Sequence, residues 1–358
     1  MSFSSEALDK EASRPTVKCV VWDLDDTLWE GTLLEGDEPV LRPNVRAILE
    51  ELDNRGILNA VVSKNDRELA LQKLAELGIA DYFISFEIQW CNKSDSIRAI
   101  ATELGLGLDT FLFVDDQEFE RDEVRYALNE VETFDPVDLN GLPLLPRMRP
   151  LHTTSESKLR RKIYQADLAR KQSEAAFVGT REEFLQTLEM RVTIRQGSEE
   201  DLSRLAELTV RTNQLNTTGR PYSPEQLRTL LGSKSHRLLV VSLEDRYGSS
   251  GTIGLALIEL NSEAWLLKLV IMSCRVISRG IGSILLSYIL HTARDNHAVV
   301  QSEFIDSGRN RMMYITYKFA GFVEKSRLDG VQLLQHDLQI IRPLPPFVTL
   351  TAPGFSMP

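Results

Sequence analysis

The sequence predicts an α/β protein with two successive domains, the first a doubly wound parallel sheet and the second a mixed α/β sheet. Three observations predict it. Between Val17 and about Pro136, short apolar runs alternate with segments of helical period, the pattern of a parallel sheet covered by helices on both faces. From Arg191 onward, several strand-like runs follow one another almost without interruption, which suits antiparallel neighbours. A chain of 358 residues is long enough for about two domains at roughly 100–200 residues each. The patterns divide the chain into a polar N-terminal segment 1–16, a first domain 17–146, a helical linker 147–189, a second domain 190–342 and a C-terminal tail 343–358.

In the first domain, residues 17–22 (VKCVVW) form a continuous apolar strand, and residues 43–56 a helix. Pro43 suits the first turn of that helix, Val45, Ile48, Leu49 and Leu52 fall on one face, and Gly56 stops it. Strand 57–62 follows, then helix 65–78, capped by Asn65 or Asp66. A short strand at 82–86, a helix at 94–105 and a strand at 110–114 complete the series. Ligands bind such sheets beyond the carboxyl ends of the strands.

The polar residues gather at those ends. Asp23, Asp25 and Asp26 follow the first strand, Ser63 ends the second, Cys91 and Lys93 follow the third, and Asp115 and Asp116 follow the last. Carboxylates this close repel one another unless a cation holds them together, and a divalent metal with oxygen ligands does so. A bare D-x-D also describes an acidic turn after a strand. Four polar clusters on one rim are harder to explain by turn chemistry, because independent features agree.

The set D-x-D-x-T, Ser, Lys, D-D resembles the four motifs of the haloacid-dehalogenase (HAD) phosphotransferase superfamily. The resemblance implies that Asp23 is the nucleophile toward phosphorus and Asp25 the general acid/base. It further implies that Thr27 orders the loop, Ser63 and Lys93 hold the phosphoryl group, and Mg²⁺ is bound by Asp23, the Asp25 carbonyl and Asp116. Asp115 would orient Lys93. Only 40 residues separate Asp23 from Ser63, and 30 separate Ser63 from Lys93, too few for an inserted cap domain. The stretch EGTLLEGDEPV (30–40) is long enough for a small flap, so the site is expected to be open.

Bulk properties narrow the field. A net charge of −11 argues against a general nucleic-acid binder, because neutralising phosphates needs basic clusters. No apolar run approaches the ~20 residues of a membrane span, and the polar first residues read as neither signal nor transit peptide. Three scattered cysteines, Cys19, Cys91 and Cys274, form no disulfide frame or zinc site, and a cytoplasmic location is expected. His152, His236, His291, His297 and His336 have no metal spacing.

In the linker, residues 155–176 have a helical pattern rich in Lys158, Arg160, Arg161, Lys162, Arg170 and Lys171, a local basic face suited to steering an acidic partner. A capping box from Thr180 to Glu183 opens the next helix. The second domain begins with strand 192–196 and helix 198–211. Strands at 236–243, 251–260 and 264–273 come next, then a glycine turn and helix at 278–296, strand 298–305, helix 310–319 and strand 331–338.

This order resembles the GNAT acyltransferase fold. Gly280 and Gly282 stand where that family presents backbone N–H groups to a pyrophosphate, and Asn310, Tyr317, Gly321 and Phe322 match its N-x6-Y-x3-GF pattern. Ile277 replaces the family's Gln or Arg ahead of the glycines. One phosphate contact is therefore missing, which suits a carrier-borne pantetheine arm better than coenzyme A.

The combination, with RTNQLNTTGRPYSPEQL (211–227) and SCRVISRGIGSILL (273–286), resembles the FkbH-like proteins of polyketide and related pathways. It implies a glyceryl transferase/phosphatase that takes 1,3-bisphosphoglycerate, removes phosphate and loads a glyceryl thioester onto an acyl carrier protein. A HAD-type phosphatase acting on a protein or small phosphate ester is the alternative. Cys91, two residues before Lys93, is the expected acyl-bearing nucleophile. Cys274, beside the glycine loop, is its rival, and direct transfer to the carrier is a third route. Cys274, Gly280, Gly282, Asn310 and Tyr317 are the residues expected to meet the carrier's arm.

Overall fold

The computed structural model describes residues 15–150, 156–261 and 264–352; most of the polar N-terminal segment and His152 lie outside them. The chain divides into two compact units, Met1–Leu168 and Ala169–Pro358. The division falls inside a helix the sequence assigned to the linker.

The first unit is built on a parallel sheet. In chain order its elements are β1 (Cys19–Trp22), β2 (Trp29–Glu30), β3 (Val40–Leu41), α1 (Val45–Asn54), β4 (Leu58–Ser63), α2 (Arg67–Glu76), β5 (Phe83–Ile88), α3 (Lys93–Leu104), β6 (Phe111–Val114), α4 (Glu118–Ala127) and β7 (Glu132–Phe134). The sheet order is β5-β4-β1-β6-β7, all pairs parallel. Alternate side chains of β1 enter different cores. Val20 and Trp22 pack with Ile48, Leu49 and Leu52 of α1 and Ala70 and Leu74 of α2. Cys19 and Val21 pack with Ile97 and Ile100 of α3 and Val124 of α4. That period of two is why every β1 residue is apolar, and why the sheet is wound on both faces.

Local signals set the element ends. Asp66 caps α2, its carboxylate accepting from the Leu69 amide at 3.0 Å, the exchange expected of an N-cap. Helix α1 starts later than the sequence suggested. Asn44, not Pro43, stands at its N-cap, in a left-handed conformation with φ of 65° that asparagine tolerates. Residues 30–40 do form a small flap, tied at its base by the antiparallel β2–β3 pair, Trp29 opposite Leu41 and Glu30 opposite Val40.

The helix α5 (Arg160–Ala176) follows, and here the basic face is largely used internally. Arg161 pairs with Asp53 at 3.0 Å and Arg160 donates to the Gly56 carbonyl at 3.1 Å. In the second unit, Arg170 pairs with Asp245 at 2.7 Å. These side chains are engaged with their own units, so the patch left for steering a partner is smaller than the sequence suggested.

The second unit continues with α6 (Arg181–Thr187), opened by the expected Thr180–Glu183 capping box, then β8 (Met190–Gln196), α7 (Leu202–Arg211), α8 (Pro224–Leu231), β9 (His236–Asp245), β10 (Gly248–Leu260), β11 (Ala264–Met272), α9 (Ile281–Asp295), β12 (Val299–Ile305), α10 (Arg311–Ala320), β13 (Val323–Leu328), β14 (Val331–His336) and β15 (Val348–Thr351). The mixed sheet runs β13-β14-β12-β11-β10-β9-β8-β15. Its two faces are covered separately: α9 packs with Val241, Ile253 and Val270, and α7 and α8 with Val240, Leu255 and Ile271. Residues 348–351, read as part of a tail, instead pair in parallel with β8.

Asp245 is the polar hub of this unit. It is buried, and its carboxylate accepts from Arg170 at 2.7 and 2.9 Å and from Arg279 at 3.1 Å. Arg279 closes the turn of Cys274–Arg279, so the hub ties the glycine loop to the end of β9. Among the described residues, no helix is long and apolar enough to cross a membrane.

Candidate functional site

The carboxyl ends of β1, β4 and β6 and the start of α3 bring one group of side chains together. Asp23 follows β1 directly and its amide bonds the Val114 carbonyl at 2.9 Å, holding the loop to the end of β6. Lys93 is the first residue of α3. Its ammonium lies 2.9 Å from the Asp23 carboxylate and also pairs with Asp115. All three are buried. Burial alone would lower the Lys93 pKa, but Asp23 and Asp115 outweigh it and hold the ammonium charged.

Asp115, Asp116 and Asp23 place carboxylate oxygens within 4.8 Å of one another. The ammonium pairs with two of these three carboxylates, so the cluster is short of positive charge. The pKa values register the shortage. Burial, aided by the Asp23 charge and opposed by Lys93, pushes Asp115 up to about 7, and burial with the same neighbour raises Asp116. A hard divalent cation with oxygen ligands would relieve this repulsion. The donor set therefore fits Mg²⁺, with Asp23 and Asp116 as expected and with Asp115 beside them as well as on Lys93.

Thr27 joins the two halves of this cluster. Its hydroxyl accepts from the Asp116 amide at 3.1 Å and donates to the Asp116 carboxylate at 3.2 Å. Arg121, which the sequence did not single out, braces the same loop by donating to the Asp115 and Asp116 carbonyls, each at 2.7 Å. Ser63 ends β4 as a buried residue on the same rim.

The Asp25 carboxylate is separate from the carboxylate trio and faces the flap. One oxygen accepts from the Trp29 indole at 2.8 Å and the Leu33 amide at 3.2 Å; the other accepts from Asn65 at 2.9 Å. Burial raises its pKa and the Trp29 and Leu33 bonds oppose the rise. Asn65, read from the sequence only as a helix cap, is thus a site residue, and Trp29 packs against the acidic loop through Asp25. Asn65 had a signal, since it stands two positions beyond the end of β4. Asp26 turns the chain into the flap with φ of 48°, its carboxylate accepting from the Gly31 amide at 2.9 Å.

Cys91 lies two residues before the start of α3. Its thiol contacts the Asn92 carbonyl at 3.4 Å and the Ser96 hydroxyl at 3.2 Å, both at the start of α3. Trp90 beside it is 73% exposed and extends into solvent.

In the second unit, Cys274 is exposed, and Gly280 takes φ of 70° as the N-cap of α9, a conformation that favours glycine. Gly282 is the second residue of α9, where an added Cβ would come into ordinary contact with Thr316. Asn310 and Tyr317 depart from the expectation that they meet a carrier's arm. Both are fully buried. Asn310 donates to the carbonyls of Asn216 at 2.9 Å and Ile305 at 2.8 Å, and the Tyr317 hydroxyl accepts from Ser302 at 3.0 Å. Their polar atoms are spent on the framework, and neither presents surface to a ligand. Asn216 is likewise buried.

No protein-family model matches this sequence, and no curated protein does. Solved structures similar to parts of the chain include a phosphatase domain and N-acetyltransferases. The N-terminal part of a Bacteroides fragilis protein, containing a phosphatase domain and complexed with Mg, is 29% identical over 40% of this chain and 43% of that chain, with a TM-score of 0.34. The match therefore spans less than half of that structure. A putative phosphinothricin N-acetyltransferase is 19% identical over 42% of this chain and 99% of its own, with a TM-score of 0.33. The Vibrio cholerae spermidine N-acetyltransferase in complex with CoA and spermine is 20% identical over 40% of this chain and 92% of its own, with a TM-score of 0.32.

Proposed function

We propose that this protein is a Mg²⁺-dependent glyceryl transferase/phosphatase, which takes 1,3-bisphosphoglycerate and delivers a glyceryl thioester to an acyl carrier protein. The observation that carries the reading is the cluster of buried Asp23, Lys93 and Asp115 with half-buried Asp116 at the carboxyl rim of a parallel sheet, an arrangement suited to a phosphoryl group and a dication. The motif resemblance supplies the substrate.

Two bonds to phosphate-bearing oxygens must break. At the acyl phosphate, a thiolate sulfur attacks the C1 carbon, the C–O bond to phosphate breaks, and inorganic phosphate leaves as the thioester forms. At the remaining phosphate ester, an Asp23 oxygen attacks phosphorus and the P–O bond to C3 breaks. Asp25 holds the proton that the departing C3 oxygen takes. Water then attacks the aspartyl phosphate, releasing the second phosphate and returning Asp23. Lys93 neutralises charge on the phosphoryl oxygens as it passes. Mg²⁺, held by Asp23 and Asp116 with the Asp25 carbonyl, would supply the charge compensation that lets a carboxylate approach an anionic phosphoryl group. Cys91 is the proposed thiol on the enzyme and Cys274 its rival.

The second reading is a phosphatase acting on a protein or small phosphate ester with the first unit alone. The Cys91 thiol is engaged with the Asn92 carbonyl and the Ser96 hydroxyl, which favours it. Intact-protein mass spectrometry of the enzyme with 1,3-bisphosphoglycerate, with and without carrier protein, separates the two. A glyceryl adduct that moves to the carrier supports the transferase; phosphate release with no adduct on enzyme or carrier supports the phosphatase.

A further inference from the structure

A second lysine stands on the rim of the first unit, and the chemistry above does not use it. Lys64 follows Ser63, the last residue of β4, and precedes Asn65, which donates to the Asp25 carboxylate at 2.9 Å. Ser63 and Asn65 are buried, whereas the Lys64 side chain keeps 31% of its surface. Its ammonium lies 2.6 Å from a carboxylate oxygen of Glu120, in the first turn of α4. Strands β4 and β6 pair with opposite edges of β1. Lys64 leaves the end of β4 and Glu120 sits just past the end of β6, so the pair spans the line of β1, on the rim where Asp23 stands.

Glu120 is a poor choice if cohesion is the purpose. It is buried, and its Oε2 has no hydrogen-bond partner among the described residues. A carboxylate taken out of water with one oxygen unsatisfied costs stability, and well-packed apolar side chains would join the two loops at least as well. The arrangement suits another purpose, holding an ammonium in a chosen place. A lysine has three N–H donors and no acceptor. Glu120 is the one partner of Lys64 among the described residues, so two donors are left on a side chain that solvent reaches.

We propose that Lys64, seated by Glu120, is a specificity-determining residue that binds the anionic group at the C1 end of the substrate while the C3 phosphate occupies the Asp23 site. The inference rests on the reading that the first unit acts on a phosphorylated three-carbon acid. Such a substrate is negative at both ends, with a phosphate ester at C3 and an acyl phosphate or carboxylate at C1. Lys93 is committed to Asp23 and Asp115, beside the phosphoryl group that is removed, so the far end needs a cation of its own. Lys64 supplies it. An ammonium on a flexible stem is a point charge with rotatable donors, and it serves phosphate and carboxylate alike. Ser63, Lys64 and Asn65 then divide the work of one loop: the phosphoryl group, the C1 anion and the Asp25 carboxylate.

The test is calorimetric titration of the full-length Asp23→Asn protein, in Mg²⁺, with 3-phosphoglycerate and with glycerol 3-phosphate. The two ligands share the C3 phosphate and the C2 hydroxyl and differ in the charge at C1; the substitution prevents turnover during the titration. 3-Phosphoglycerate should bind on the order of tenfold more tightly, the size expected of one hydrogen bond between charged groups. Adding Lys64→Met should abolish that preference by weakening 3-phosphoglycerate, and Lys64→Arg should keep most of it. Glu120→Gln, which keeps the shape and loses the charge, should give an intermediate preference. No preference with Lys64 in place, an undiminished preference after Lys64→Met, or no binding of either ligand overturns the proposal. Tighter binding of 3-phosphoglycerate after Glu120→Gln would show the carboxylate competing with the ligand and overturn its seating role. Failure of the phosphotransfer reading would appear separately, as phosphate release by Asp23→Asn at the wild-type rate.

Discussion

The Lys93 ammonium lies 2.9 Å from the Asp23 carboxylate while also pairing with Asp115, with the side chains of all three at most 6% exposed. One cation therefore neutralises the proposed nucleophile and its neighbour, and it arrives on the first residue of a helix. Lys93→Met removes that cation from between two buried carboxylates. Breaking a buried pair in this way costs about 3–5 kcal/mol, and the low end is expected here because Asp115 can take up a proton. Phosphate release should fall on the order of a hundredfold or more. Denaturant unfolding and a phosphate-release assay check the two effects, and an active, fully stable Lys93→Met variant would contradict both.

Asp115 gives a pH dependence with a definite sign. Its carboxyl is raised from 3.8 to about 7 by burial and the Asp23 charge, against Lys93. The folded state thus binds this proton more tightly than the unfolded state, so its contribution to stability is present at low pH and is lost as pH rises from about 4 through about 7. Metal-free protein should show this loss, Asp115→Asn should flatten it, and added Mg²⁺ should stabilise more at pH 8 than at pH 6, since ligands must be deprotonated. Thermal melts across this range, with and without Mg²⁺, provide the check.

Asn65 holds one oxygen of Asp25 at 2.9 Å and is assigned here a positioning role. Asn65→Ala should lower kcat for phosphate release by roughly tenfold with little change in KM, the cost of losing one hydrogen bond to a charged group. Asn65→Asp keeps the size but replaces the donor with a second carboxylate, and should be worse than alanine. If the two variants are equal, Asn65 matters only for packing.

In the second unit, Asp245→Ala leaves the Arg170 and Arg279 guanidinium groups facing a buried position without their shared carboxylate. Removing one partner of such a buried network costs about 3–5 kcal/mol. A fall in the unfolding midpoint is expected, with a smaller fall for Asp245→Asn, which retains one acceptor oxygen.

The parts legible in the sequence were those set by short-range chemistry. The strand–helix alternation follows from period, and the Asp66 and Thr180 caps follow from residue type. The gathering of Asp23, Ser63, Lys93 and Asp115 follows from the rule that parallel strands end on one rim. What could not be read depends on contacts between distant residues. Nothing in residues 211–219 signals that their backbone bonds β11 and β12, through the Met272 amide to Leu215 and the Ile305 amide to Thr217, because hydrogen bonds from backbone groups leave no side-chain pattern. Arg161 and Arg170 read as a solvated basic face because their partners, Asp53 and Asp245, are far off in sequence. Asn310 and Tyr317 matched a family pattern, and the residue types alone do not distinguish a ligand contact from a framework bond.

The central claim is that Asp23 removes the C3 phosphate while a thiol takes the acyl group. The most direct measurement is the mass of the acyl group found on enzyme or carrier after incubation with 1,3-bisphosphoglycerate and Mg²⁺, in wild type and in Asp23→Asn. The account predicts a glyceryl group with wild type and, with Asp23→Asn, an acyl group heavier by one phosphoryl. A glyceryl group of the same mass and yield with Asp23→Asn would contradict it.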